Sequence, residues 1–261
     1  MSKSGQVTAF IILGIVIMTV VAVAFYFRNQ LISLEFSSSR EESIIIPIQL
    51  RPVKNHIDNC LRETSIEGLY QIGRQGGYYN VPVESSITFF TESVPYYYLD
   101  NQEITPSIKI IEKELASYIS DNLIVCLNFQ DFIDNGFKIR QCNYKISTAI
   151  NDKNVDIRMY YPIGIEKSGI SIVLKDFRST IDSNMRTLKR ISMDIVDSYS
   201  ERPGLVCLTC LEDLSKNDDV AIQTIPVDVS VFERNIIWFL ITDKEYNLNG
   251  KNLTLRFVVE K

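Results

Sequence analysis

The stretch "INDKNVDIRMYYPIGIEKSGISIVL", residues 150–174, decides the fold class of this 261-residue chain. A turn at residues 151–154 is followed by apolar side chains in strict alternation, and a second alternating run follows Gly169. Alternation with a period of two is typical of strands that bury one face. The alternating residues are Val155, Ile157, Met159 and Tyr161 in the first run and Ile170, Ile172 and Leu174 in the second. The sequence therefore predicts a β region here.

Strand-like segments also lie on both sides of this region. They are predicted at residues 87–90, 94–99, 137–150, 220–225, 236–241 and 253–259. The apolar phase within the third of these segments slips after Ile139, which predicts a bulge near Arg140 or Gln141. A loop that contains Asn249-Gly250 joins the last two strands.

Helical spacing of apolar residues predicts the remaining elements. Three helices are predicted at residues 53–73, 108–126 and 181–199, and a short fourth segment at 205–214. Thr105 and Pro106 are predicted as the N-cap and the first helical position of the second helix. Helices and strands come in blocks, so the predicted fold is α+β, with a mostly antiparallel sheet and about three to four packed helices.

The N-terminal stretch "KSGQVTAFIILGIVIMTVVAVAFYFR", residues 3–28, has no charged side chain between its two ends. A helix over its apolar part would extend ~33 Å at ~1.5 Å per residue, which covers a hydrocarbon core of ~30 Å. The run ends in aromatic residues and Arg28, whereas a secretory signal ends in small residues at a cleavage site. We therefore expect a transmembrane helix at residues 6–28 that precedes the α+β domain.

This span divides the chain into four parts. Residues 1–5 are a cytoplasmic N-terminus or a short leader, 29–43 a serine-rich juxtamembrane linker, and 44–261 the folded domain, with an alternative sub-boundary near residue 203. A single N-terminal span before a long C-terminal domain favours a cytoplasmic N-terminus and an extracytoplasmic domain. The expected location is the cell membrane, with one pass.

Charge restricts the partners of the domain. The chain has 27 basic and 32 acidic residues, a net charge of −5, and the acidic excess grows once Lys3 and Arg28 beside the span are set aside. A duplex nucleic-acid binder normally shows a basic surface, so no nucleic-acid partner is expected. An acidic surface that keeps the domain soluble explains the balance. The expected partners are the lipid bilayer, through residues 6–28, and proteins or glycans at the cell surface.

Five cysteines allow two bridges and one odd thiol in 15 arrangements. Cys60 and Cys126 lie on the apolar stripes of the first two predicted helices, so a disulfide between these helices is the preferred pairing. The alternative is two buried thiols that pack as small apolar side chains. An outward-facing domain would lie in an oxidising compartment, where disulfides persist.

Cys207-Leu208-Thr209-Cys210 is the sequence motif to which a reaction could be attached. Thiol oxidoreductases place two cysteines at this spacing at a helix N-terminus, and Pro203-Gly204 precedes a plausible helix here. Cys207 and Cys210 share a helical face with Leu211 and Leu214, which favours a structural pair or two buried thiols in the core. A zinc site would need a second close pair, so no metal and no cofactor are expected.

Other patterns favour structural roles. His56, the only histidine, has no nucleophile signature near it and is expected to be an exposed helix residue. The glycine-rich segment at 73–79 follows a helix, which favours a helix stop over a phosphate-binding loop. The aromatic run at 96–98 fits a half-buried strand better than a glycan-stacking patch. Asn252 begins a glycosylation sequon, a short and weak match.

Two resemblances concern location. Lys3-Ser4-Gly5 followed by Gln6-Val7 and the apolar run resembles the class III leader of archaeal type IV pilin-like proteins and archaellins. That resemblance implies cleavage after Gly5, with Gln6 as the new N-terminus. It covers about 25 residues, and the serine-rich linker interrupts the stalk helix that pilins continue.

The second resemblance covers much of the chain. The segments around Cys60-Leu61, 75–78, Pro95-Tyr96 and Cys126-Leu127 look like those of uncharacterised single-span membrane proteins of small-genome archaea of the DPANN type. That group implies a membrane location and no activity.

Together these observations predict a membrane-anchored cell-surface protein with a binding or envelope-structural role and no catalysis. A pilin-like filament subunit is the alternative, and a thiol-disulfide oxidoreductase that uses Cys207 and Cys210 is the third hypothesis.

Overall fold

The structure, a computed structural model, describes residues 46–89, 92–229 and 234–260, together with Gly14 and residues 17–19. Ile46–Lys261 form one compact unit. The predicted membrane span, the leader and the linker lie outside the described residues, apart from those four positions. Within the described ranges, no helix combines the length and the apolarity that a bilayer crossing requires.

Five α-helices lie in the described part of this unit. They are Arg51–Arg74 (α1), Ile108–Cys126 (α2), Gln130–Asp134 (α3), Met185–Glu201 (α4) and Leu208–Asn217 (α5). The helix α1 has Pro52 in its first turn, where the missing N–H costs nothing, and it ends before two glycines with left-handed backbone, Gly76 and Gly77. The predicted helix over 53–73 is therefore confirmed almost to its ends.

The first sheet has the strand order β1-β2-β10-β9-β8, and β3 pairs with the end of β2. The strands are Ser86–Phe89 (β1), Glu92–Leu99 (β2), Gln102–Glu103 (β3), Val220–Val229 (β8), Arg234–Leu248 (β9) and Lys251–Glu260 (β10). Asn249 and Gly250, both with positive φ, form the two-residue turn between β9 and β10. All pairs are antiparallel except β2 with β10, which run parallel.

The second sheet is built around one long central strand. Its strands are Lys138–Gln141 (β4), Lys145–Ile150 (β5), Asn154–Lys167 (β6) and Ile170–Asp182 (β7). The strand β7 pairs along one edge of β6, so β4 and β5 share the other edge. Three residues, 142–144, stand opposite residues 161–162 of β6, so the ladder is interrupted directly after Gln141, next to the predicted bulge.

One core joins the two sheets and the helices. The helix α1 packs against α2, β7 and β10, α2 packs against β5, and α4 packs against β9 and β10. The buried cluster runs through all of these elements, with Ile57, Leu115 and Ile157 fully buried. Tyr97, Phe257 and Phe239 form a stack, with ring centroids 4.5 and 5.2 Å apart. The fold is thus α+β and mostly antiparallel, as predicted, but with two sheets in place of the one expected.

Three details differ from the sequence prediction. Ser107 is the N-cap of α2, because its side chain accepts the Ile110 N–H, so the assignment of Thr105 and Pro106 was wrong. Ile181, predicted at the start of the third helix, belongs to β7, where it pairs with Val155. The short helix α3 was not predicted, because its sequence shows no helical apolar periodicity. With α3, the described residues contain five α-helices, against the predicted three to four.

Candidate functional site

All five cysteines lie in described residues, and four of them pair. Cys60 and Cys126 form one disulfide, with Cα atoms 5.5 Å apart, and Cys207 and Cys210 form a second, with Cα atoms 5.2 Å apart. Cys142 is an exposed free cysteine in the break between β4 and β5. The disulfide between the first two helices is present as preferred from the sequence.

The Cys60–Cys126 disulfide lies inside the fold. Cys60 is 2% exposed, and the bridge ties the middle of α1 to the last residue of α2. His56 Nε2 lies 3.8 Å from the Cys60 sulfur, and the imidazole packs against the rings of Phe129 and Phe132 at 5.6 and 5.3 Å. His56 is therefore half-buried among aromatic rings, which corrects the expectation of an exposed helix residue. This arrangement serves packing.

The Cys207–Cys210 disulfide lies at the beginning of α5. Cys207 is the N-cap residue, and its sulfur accepts the backbone N–H of Cys210 at 3.3 Å. Gly204, with positive φ, turns the chain into this position after α4. The sulfur of the N-cap residue thus lies at the positive end of the α5 macrodipole, where negative charge is stabilised. This is the placement that thiol chemistry requires of a Cys-X-X-Cys pair.

The surroundings of this disulfide are exposed and apolar. Cys210 is exposed and Cys207 half-buried, while Leu205 and Leu208 beside them are 66% and 71% exposed. The prediction of a core position for both cysteines was therefore wrong. The physical reason is that α5 packs mainly against the edge strand β8, and none of its residues is fully buried.

A small, shallow groove borders the pair, with enclosed room for no more than about one water molecule. Besides both cysteines, it is lined by residues of α4, of the loop after it, of α5 and of β9, among them Asp194, Tyr199, Leu211 and Phe239. Asp194 is the one charged residue among these described lining residues, and Arg190 forms an ion pair with it at 2.9 Å. Arg190 also pairs with Asp218 at 2.5 Å, so one guanidinium serves two carboxylates. The groove is thus mostly apolar, with a weakly acidic edge at Asp194 and a disulfide in its wall.

The other predicted positions are spread over the molecule. The segment 73–79 is a helix stop, since Gly76 and Gly77 are buried and α1 ends before them. The aromatic run at 96–98 is buried in β2, so it offers no stacking surface. Asn252 is exposed on β10, where its side chain accepts a hydrogen bond from Asn247 at 3.1 Å. Gly5 and Gln6 lie outside the described residues.

No protein-family model, curated protein or solved structure matches this chain. In the described residues, no group of three or more histidine, cysteine or acidic side chains has the geometry of a metal site.

Sequence reasoning missed several buried charged residues in the described part of the chain, and Lys189 is the basic one. Lys189 in α4 is 3% exposed, and its ammonium lies 5.4 Å from the centre of the Tyr97 ring, without a hydrogen-bond partner among the described residues. Burial lowers the pKa of Lys189 to about 8, although Asp197 and Glu103 act in the opposite direction. Its position four residues after Met185, on the apolar stripe of α4, is the signal that could have found it.

Proposed function

We propose that this protein is a membrane-anchored domain outside the cytoplasm that acts by binding other surface molecules or by building the envelope, without catalysis of its own. The apolar N-terminal run supplies the anchor in this proposal. The folded unit that begins at Ile46 supplies the part that faces outward.

The observation that carries the proposal is the state of the cysteines. Four of the five lie in two disulfides, one of which joins the buried Cys60 of α1 to the half-buried Cys126 of α2. Disulfides form and persist in oxidising compartments and are rare in the cytosol. A domain that uses two of them fits the outer side of a membrane better than the inner side.

Cys142 provides a built-in reporter of sidedness, because it is the exposed free thiol. Cells that express the full chain are treated with a membrane-impermeant maleimide before lysis. We expect one label per chain on intact cells, at Cys142, and four further labels only after denaturation with a reductant. The Cys142→Ser variant is the matched control and should take up no label from outside.

Two outcomes would contradict the proposal. Labelling of Cys142 that requires lysis would place the domain in the cytosol. Five labels without a reductant would show that the four paired cysteines are reduced in the cell, which removes the support for an oxidising compartment.

The filament-subunit alternative depends on residues 3–6, which lie outside the described residues. The intact mass of the labelled protein tests it at the same time, since cleavage after Gly5 would leave a chain that begins at Gln6. A mass that includes Met1 or Ser2 would exclude that processing.

A further inference from the structure

The two cysteines of the Cys207–Cys210 disulfide differ in their surroundings. Cys210 is an exposed residue of the first turn of α5. Cys207 is a half-buried residue, and its sulfur accepts the Cys210 N–H at 3.3 Å at the N-terminus of α5. Cys210 is therefore the more exposed residue of the pair, and Cys207 is the one whose sulfur is best placed to carry a negative charge.

From this asymmetry we infer that the Cys207–Cys210 disulfide is a thiol-disulfide exchange site that captures a cysteine-bearing segment of a partner protein. This goes beyond the proposed binding role, because it gives one surface of the domain a covalent reaction.

The reaction balances without an added oxidant. The thiolate of the partner attacks the Cys210 sulfur in line with the S–S bond, a new S–S bond to the partner forms, and the Cys207–Cys210 bond breaks. The electron pair of the broken bond remains on Cys207, which leaves as a thiolate at the helix N-terminus. One thiolate is consumed and one is produced. Attack of Cys207 on the new disulfide reverses the step and releases the partner.

A purely structural role explains this disulfide poorly. It closes a loop with a sequence separation of 3, against 66 for Cys60–Cys126, and the chain entropy that a cross-link removes grows with loop length. None of the residues of α5 is fully buried, so opening the bridge disturbs little of the core. The pair can open while the domain remains folded.

The groove beside the pair indicates what the partner segment looks like. Leu205 and Leu208 flank the disulfide and are largely exposed, and the apolar groove continues between α4 and α5. The single charged lining residue, Asp194, shares the Arg190 guanidinium with Asp218, so this edge of the groove keeps an acidic character. A cysteine segment with apolar neighbours complements this surface, because the exposed leucines offer apolar contacts, whereas an acidic flank would meet Asp194.

The test uses the full chain in detergent, under argon, with two fluorescent peptides that each carry one cysteine. Leucines flank the cysteine in the first peptide and serines flank it in the second. After an acid quench and alkylation of free thiols, mass spectrometry locates the mixed disulfide. We expect the peptide on Cys210 and the alkyl group on Cys207, with Cys60 and Cys126 still joined.

The leucine peptide should react about fivefold faster than the serine peptide, since half-burying one leucine changes an equilibrium by about that factor. The Leu208→Ser variant, which changes an exposed side chain, should bring the two rates together. Cys142→Ser should leave both rates unchanged, and Cys207→Ser should abolish capture because it removes the disulfide that reacts.

Three results would overturn the inference. The first is an intact Cys207–Cys210 disulfide after incubation with excess peptide. The second is attachment at Cys207 in place of Cys210, which would contradict the assignment of the attacked sulfur. The third is equal rates for the two peptides, which would remove the groove from recognition.

Discussion

The two disulfides should differ in how much they stabilise the fold, because they close loops of very different length. Sequence separations of 66 and 3 residues correspond, in the chain-entropy model, to about 4 kcal/mol for Cys60–Cys126 and about 1.5 kcal/mol for Cys207–Cys210. The double variant Cys60→Ala/Cys126→Ala should therefore lose roughly 2.5 kcal/mol more free energy of unfolding than Cys207→Ala/Cys210→Ala. The burial of Cys60 adds to the first value, since its side chain contacts the core.

Equilibrium unfolding in urea measures both values on the full chain in detergent. Trp238, the single tryptophan of the sequence, lies half-buried in β9 with the Arg256 guanidinium 5.9 Å from its ring, so its fluorescence reports loss of the first sheet. Wild-type protein with a reductant provides the matched control. It should unfold at nearly the same urea concentration as a chain that lacks all four paired cysteines.

The order of the two losses in free energy of unfolding tests whether loop length sets the stabilisation by each disulfide. Equal losses, or a larger loss for Cys207→Ala/Cys210→Ala, would show that the short bridge stabilises the native fold in a way that loop closure does not describe. That result would also remove the reason for regarding it as free to open.

Two further perturbations address the packing of the domain. Lys189→Met should raise the free energy of unfolding at pH 7 by up to about 3 kcal/mol, reduced by about 1 kcal/mol for the lost contact with Tyr97. The lysine penalty is fully present below the folded pKa of about 8 and fades towards the unfolded value of 10.5, so the gain should shrink between urea titrations at pH 7 and pH 10. Gly76→Ala should lower the free energy of unfolding by about 3 kcal/mol, since φ is +58° and the new methyl group would meet Pro95. Gly136→Ala, at φ +83° with open space around it, should cost only about 1 to 2 kcal/mol in the same titration, and equal losses would contradict the steric reasoning.

Periodicity predicted the elements well where one face of an element meets the core. The apolar stripe of α1 and the alternation in β6 both correspond to buried side chains, including Ile57 and Ile157. The same criterion gave the wrong burial for α5. Its apolar residues are spaced as in a core helix, but the helix packs on an edge strand. A pattern indicates which face is apolar, and the neighbouring elements decide how much of that face is covered.

The pairing of strands was beyond the sequence. The strand β2 lies parallel to β10 through Tyr96–Val258 and Tyr98–Val259, more than 150 residues away, and no local signal marks such a contact. The division into two sheets follows from pairings of this kind. The exposure of Cys210 was beyond the sequence for the same reason, because it depends on which strand α5 packs against.

Buried polar residues help to determine which helix packs on which strand, because hydrogen bonds are directional and apolar contacts are not. Asp243, fully buried at the next position of the alternation after Ile241, accepts the Glu245 N–H at 2.9 Å and the Asn184 side-chain N–H at 3.2 Å. Asn184 is the N-cap residue of α4, so this carboxylate joins the start of that helix to β9.

Glu112 joins α2 to β5 by hydrogen bonds. It is 7% exposed, and its carboxylate accepts the Ile150 N–H at 2.9 Å, while its carbonyl oxygen accepts the Thr148 hydroxyl at 2.7 Å. A one-turn slip of α2 would take the Ile150 N–H away from Glu112, and a slip of α4 would take Asn184 away from Asp243. Each slip would cost a buried carboxylate one of its hydrogen bonds. Apolar periodicity thus selects the faces that pack, and these acidic residues select the strand and the register. An acidic residue at a core position of an apolar pattern is therefore the sequence signal that a helix has a fixed partner.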